Sequence, residues 1–143
     1  MKTLRFDRTK MTALAALLVL GAAMAPAYAD LPPVQTQGNV QYVTGGVGLD
    51  ESTAMKAAEK DYPLTLVFAQ KQGDQNVYTA DVPVTITDNK GATVLQATTN
   101  GPYMLVKLPP GQYTIRSTYN GTEKVQRATV APGSHARSVF EWQ

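Results

Sequence analysis

A two-layered, antiparallel β-sandwich of about seven strands, with one short helix near its N-terminus, is the fold class this sequence predicts. Three observations lead there. From Pro63 onward, segments of alternating apolar and polar residues recur at intervals of roughly 8 to 12 residues, the spacing of an all-β sandwich or barrel. Glycine-, proline- and asparagine-bearing turns separate them, at Asp88-Asn89-Lys90-Gly91, Asn100-Gly101-Pro102, Asn120-Gly121 and Ala131-Pro132-Gly133. Helical periodicity occurs in a single place beyond the first thirty residues.

The segment before the domain reads as an export signal. Lys2, Arg5, Arg8 and Lys10 form a basic region, Met11 to Ala25 an apolar stretch, and Ala27-Tyr28-Ala29 a small-residue cleavage site. Residues 1–29 are therefore expected to be a signal peptide, removed between Ala29 and Asp30, which would place the protein in the periplasm or outside the cell. The apolar run is short against the ~20 residues a spanning helix needs, so no stable membrane span is expected after cleavage. The chain contains no cysteine, which excludes a lipid-modified one, and no Arg-Arg pair, which disfavours the twin-arginine route.

Charge changes meaning once the signal is set aside. The full chain has 13 Lys and Arg against 11 Asp and Glu, but residues 30 to 143 carry nine basic and ten acidic side chains, a net of −1. A clustered basic surface of the kind that binds a phosphate backbone is not in prospect, and nucleic acid is excluded as a partner. With no disulfides, stability must come from a packed core.

Taken in order, residues 30 to 38 read as a flexible leader, because Pro32 and Pro33 bar helix and the rest is polar. Residues 39 to 143 form one domain. Asn39 to Val43 is a short strand with Val40 and Tyr42 on one face. A helix is expected over about 50–61: Asp50 can serve as N-cap, Glu51 suits the positive end of the dipole, and Met55, Ala58 and Tyr62 make a narrow apolar stripe. Pro63 ends it. At three turns such a helix is marginal alone and should lie against the sheet.

The strands follow. Leu64, Leu66 and Phe68 share one face, and so do Val82, Val84 and Ile86, where Pro83 predicts an edge strand or a bulge. ATVLQATT comes next, then YMLVKL with Met104, Val106 and Leu108 together. LPPGQYTIRSTYNG, Leu108 to Gly121, is the strongest strand-and-turn signal in the chain. In TEKVQRATV the alternation slips between Val125 and Val130, which predicts a bulge. The last strand carries Phe140 and Trp142 on one face.

The run DNKGATVLQATTNGPYMLVKLPPGQYTIRSTYNG resembles the repeat grammar of carboxypeptidase regulatory-like domains. These share a transthyretin-like, prealbumin-type sandwich with the B-type repeats of bacterial surface adhesins. Leu108, Pro109, Pro110, Gly111, Tyr113 and Ile115 match the family's apolar-Pro-Pro-Gly-x-Tyr-x-apolar element. The likeness spans roughly Val82 to Val130 and implies a prealbumin- or immunoglobulin-like scaffold. Such a scaffold carries many unrelated functions and implies no particular one. The whole segment after the signal also looks like small exported proteobacterial proteins that carry this domain by itself. No metallopeptidase domain accompanies it, and no Lys, Asn and acid trio for an internal isopeptide bond stands in a recognisable motif.

Chemistry is weakly signalled. Gly45-Gly46-Val47-Gly48 before a helix suggests a phosphate loop, yet Glu51 stands where a third glycine belongs and no Gly-Lys-Ser/Thr follows. Asp50 and Glu51 would repel an anion there, so the segment reads as a flexible joint or a mobile contact loop. His135, the sole histidine, has no H-x-x-x-H, cysteine pair or G-x-S-x-G elbow to work with. Asp74 and Asp88 sit in turns, where aspartate bonds its own backbone. No catalytic residue, cofactor or metal is expected, and the protein is not expected to be an enzyme. The expected role is a non-catalytic envelope module that binds a protein or cell-envelope component, with Tyr42, Gly45, Gly46, Gly48, Tyr78 and Tyr103 as contact candidates. A glycan-binding module is the alternative reading and a small hydrolase a distant third.

Overall fold

A computed structural model describes residues 31–143. The expected signal peptide and its expected cleavage site lie outside the described residues. Among the described residues the fold is mainly β: ten strands in two sheets, with one short helix.

In chain order the elements are β1 (Gln35–Gln37), β2 (Val40–Gly45), α1 (Leu49–Ala58) continued by a 3-10 turn (Glu59–Asp61), β3 (Leu64–Gln72), β4 (Gln75–Tyr78), β5 (Pro83–Asp88), β6 (Thr93–Thr98), β7 (Tyr103–Lys107), β8 (Gly111–Tyr119), β9 (Thr122–Val130) and β10 (Ala136–Trp142). One sheet has the order β1-β2-β7-β3-β10, with β4 also paired to β3. The second has the order β6-β5-β8-β9. Pairing is antiparallel throughout except between β3 and β10, which run parallel from Leu64/Ala136 to Gln70/Trp142.

The space between the sheets is the main core. Leu64, Leu66, Phe68, Met104, Val106, Phe140 and Trp142 from the first sheet meet Val84, Ile86, Leu95, Tyr113, Ile115 and Val130 from the second. Alternation decides this, since side chains two apart on a strand share a face. Phe68, Phe140 and Trp142 stack, with ring centroids 5.5 to 6.4 Å apart. A second core lies on the outer side of the first sheet, where Met55, Ala58 and Tyr62 cover Val43, Val67, Tyr103 and Leu105. The predicted helical stripe is the face that docks. Because β3 and β7 are covered on both sides at this level, Leu64–Ala69 and Tyr103–Val106 are buried without alternation.

Two turns follow their sequence chemistry. Asn120 (φ 48°) and Gly121 (φ 79°) both take positive φ, the requirement of a two-residue turn matching the right-handed twist of β8 and β9. In the β5–β6 turn Asp88 accepts hydrogen bonds from the backbone of Lys90 (2.9 Å) and Ala92 (3.0 Å). The Pro-Pro-Gly-x-Tyr element also has a physical reason: the Tyr113 hydroxyl donates to the Pro109 carbonyl at 2.6 Å, tying the strand to the turn that precedes it.

Several local expectations are corrected. The leader is not wholly irregular, since Gln35–Gln37 pairs with β2. Pro83 stands at the first residue of an interior strand, and the register shift in β5 falls at Ile86/Thr87. β9 pairs with β8 without interruption from Gly111/Val130 to Tyr119/Thr122. The slip there is no bulge: Val125 simply faces outward, 46% exposed, while Ala128 and Val130 face the core. Gly48, not Asp50, is the N-cap of α1, and Asp50 sits inside the first turn.

Candidate functional site

One end of the first sheet concentrates the unusual local chemistry. Here β2 runs into the Gly45–Gly48 loop, which enters α1, while the Asn100–Pro102 turn enters β7 beside it. The two segments pass so closely that a methyl group on Gly101 would strike the Gly45 carbonyl. Thr44, 2% exposed, fastens the turn by accepting a hydrogen bond from the Asn100 N–H at 3.0 Å.

Gly46 (φ 102°) lies directly against the ring of Tyr103, where any Cβ would collide. The Tyr103 ring packs in turn against Tyr78 at the end of β4, centroids 5.8 Å apart and planes 38° apart. Burial pushes the Tyr103 phenol up to about 12, helped by its hydrogen bond with Tyr78, which keeps the proton on Tyr103. From the other side the Glu51 carboxylate reaches back over the loop. One oxygen accepts from Gly46 N–H at 2.7 Å and Val47 N–H at 3.4 Å. Glu51 thus satisfies loop donors from within the helix's first turn, a local version of a capping interaction. The loop expected to be a flexible joint is clamped on both faces.

What the clamped loop and the first residue of α1 present is apolar. Leu49 is 80% exposed and Val47 63%, each one residue beyond a glycine that is held or left-handed. Tyr78 is 57% and Val77 40% exposed on neighbouring β4. β4 pairs with β3 on one side, and no partner strand among the described residues takes its other edge.

Of the sequence-predicted contact residues, Gly45, Gly46, Gly48, Tyr78 and Tyr103 come together at this end. Tyr42 does not. It lies in the main core, 8% exposed, with its hydroxyl donating to Gln35 at 3.1 Å. Tyr103 is 2% exposed, so it supports the loop from beneath and does not reach a partner. Sequence reasoning missed Val47 and Leu49, whose signal was two apolar residues each directly following a glycine, outside any stripe.

His135 is elsewhere, exposed beside the Pro132-Gly133 turn, with Nδ1 3.0 Å from the Tyr62 carbonyl. A carbonyl oxygen only accepts, so Nδ1 carries the proton. Among the described residues no group of three His, Cys, Asp or Glu side chains is arranged to hold a metal ion. No helix among them is long and apolar enough to cross a membrane.

No protein-family model matches the chain, and no curated protein does. Among solved structures, the crystal structure of S.CueP is similar over 52% of this chain and 57% of that one, at 17% sequence identity and a TM-score of 0.40. The chain therefore spans little more than half the length of that protein.

Proposed function

We propose that this protein is a non-catalytic module, exported to the periplasm by cleavage after Ala29, that binds a protein of the cell envelope through the end carrying Val47, Leu49 and Tyr78. The observation that carries the reading is Leu49, 80% exposed at the first residue of α1, directly after a loop whose Gly45 and Gly46 are held by Glu51, Tyr103 and Gly101. A single exposed leucine is ordinary. A valine on a restrained loop and a leucine at the start of the helix it enters are less so, because rigid presentation lowers the ordering cost of association. The unpaired edge of β4, next to exposed Val77 and Tyr78, offers backbone groups to an extended segment of such a partner.

The test is site-specific photocrosslinking in cells. A photoreactive residue at position 49 should give one discrete protein adduct. The identified partner, once purified, should bind the protein at least tenfold more weakly when Leu49→Asp is introduced. Adducts of the same pattern from position 93, on the far side of the second sheet, would count against the reading. Export is tested by N-terminal sequencing of the periplasmic form, expected to begin at Asp30.

A further inference from the structure

The outer face of the second sheet holds a groove of about 490 Å³, at the opposite side of the sandwich from α1. Its floor is set by register. Thr87 on β5 pairs with Thr114 on β8, and Thr114 with Arg127 on β9, so three side chains line up across adjacent strands. Gln112 and Thr129 pair in the row beyond, and Arg116 stands two residues along β8. All six line the groove.

The arginines differ in their engagement. Arg116 bonds Glu123 at 3.3 Å, with both side chains about half exposed. Arg127 has no ion-pair partner among the described residues. Asp88 also lines the groove and keeps its negative charge there, one carboxylate oxygen accepting from the backbone N–H groups of Lys90 and Ala92. The lone lining aromatic, Tyr113, is 7% exposed, with its hydroxyl committed to Pro109.

We infer that this groove binds a saccharide bearing an oxyanion, with Arg127 reading the anionic group and the Thr87–Thr114 row, Gln112 and Thr129 reading hydroxyls. The lining excludes the alternatives. It is mostly polar, which suits a hydrophobic ligand poorly, and it has no open ring on which a neutral sugar could stack. Two arginines on a domain of net charge −1 cannot follow a nucleic-acid backbone. What remains is a planar guanidinium fork, suited to carboxylate or phosphate, beside hydroxyl and amide groups that both donate and accept. Adjacent strands place those groups about 4.8 Å apart, a pitch comparable to one pyranose residue. This site is separate from the Val47–Leu49 end and stands or falls without it.

The experiment is calorimetric titration of the purified protein with an oligogalacturonate, glucose 6-phosphate, inorganic phosphate and neutral maltohexaose. Binding of either anionic sugar, weakened by salt and reduced at least tenfold by Arg127→Gln, supports the assignment. The oligogalacturonate and phosphosugar arms then tell a carboxylate source from a phosphate one. Arg127→Lys should recover only part of the affinity, because it keeps the charge and loses the fork. Arg127 is exposed and has no ion pair among the described residues, so the unliganded variants should melt as the parent does. The assignment is overturned if no anionic sugar binds at millimolar concentration. It is equally overturned if Arg127→Gln binds unchanged, or if maltohexaose or inorganic phosphate binds as tightly.

Discussion

The side-chain amide of Gln37 joins the two sheets by bonding the backbone of Gln96 twice. Its Nε2 donates to the Gln96 carbonyl at 2.8 Å, and its Oε1 accepts from the Gln96 N–H at 2.8 Å. A primary amide carries the same donor and acceptor as a peptide group, so Gln37 acts as one residue of strand between edge strands β1 and β6. The opposite seam is closed in a related way: Gln126 of β9 donates to the Val139 carbonyl of β10 at 2.6 Å, and Trp142 donates to the Thr122 carbonyl at 2.9 Å. The two open sides of the sandwich, β1 against β6 and β9 against β10, are thus bridged by side chains, away from the open edge of β4.

Replacing Gln37 by alanine should lower stability by about 1 kcal/mol, the net value of one to two partly exposed hydrogen bonds. Gln37→Glu should do no better, because a carboxylate accepts from Gln96 N–H but repels its carbonyl. Urea denaturation reads both. A Gln37→Glu variant as stable as the parent would show that the donor half of the contact contributes nothing.

Gly46→Ala should cost more than Gly48→Ala. Both residues have positive φ, but the space at Gly48 is open, and at Gly46 the new methyl meets the Tyr103 ring. The left-handed conformation alone should cost about 1–2 kcal/mol, and the collision a further 1–3 kcal/mol or so. Equal midpoints in denaturant would remove Tyr103 as the support of the loop.

Tyr113→Phe should destabilise by about 1–3 kcal/mol, since it leaves the Pro109 carbonyl without its donor in a partly buried place. Thermal melting is the measurement. A neutral substitution would mean that the Pro-Pro-Gly-x-Tyr element holds through its turn alone.

Stability should fall in strong alkali. The Tyr103 phenol is raised from 10.0 to about 12 by burial and by the hydrogen bond with Tyr78. Tyr62 and Tyr113 are raised as well, burial being the main cause and nearby Asp61 and Asp88 adding to it. The unfolded chain therefore releases these protons at lower pH than the folded one. The contribution is complete below pH 10 and is lost progressively as pH rises from there towards about 12. Tyr103→Phe should make that decline shallower up to about pH 12 without abolishing it. An alkaline limb identical in the variant would sink the assignment.

Leu49→Asp should change stability by less than about 0.5 kcal/mol, as expected for a side chain 80% exposed. Met55→Ala, six residues on and fully buried, should cost about 2–5 kcal/mol. The pair separates what α1 shows to solvent from what it buries. A large loss at Leu49 would mean that it packs and is not presented.

Much of the fold was legible from local pattern. Alternation placed Leu64, Leu66 and Phe68, then Val84 and Ile86, in the core, and Met55, Ala58 and Tyr62 on the docking face of α1, because those positions depend only on the periods of strand and helix. The Asn120-Gly121 turn was legible for the same reason, since its backbone angles admit few residues. The strands β1 and β4, QTQ and QNVY, carry no apolar alternation and take their form from the neighbour they pair with. Their number was therefore underestimated.

Which residues meet was decided only by the tertiary structure. Gly46 and Tyr103, Gly45 and Gly101, Gln37 and Gln96 are separated by more than fifty residues, and no spacing rule connects them. The sequence alone determined that the chain after residue 29 alternates into a sandwich with one helical stripe. Packing decided that the glycine loop is clamped, that Tyr42 and Tyr103 are buried, and that Arg127 stands beside a row of threonines. The physical reason is that a strand's faces follow from its own side chains, whereas its neighbours follow from strand order, which the whole chain sets by burying both cores together.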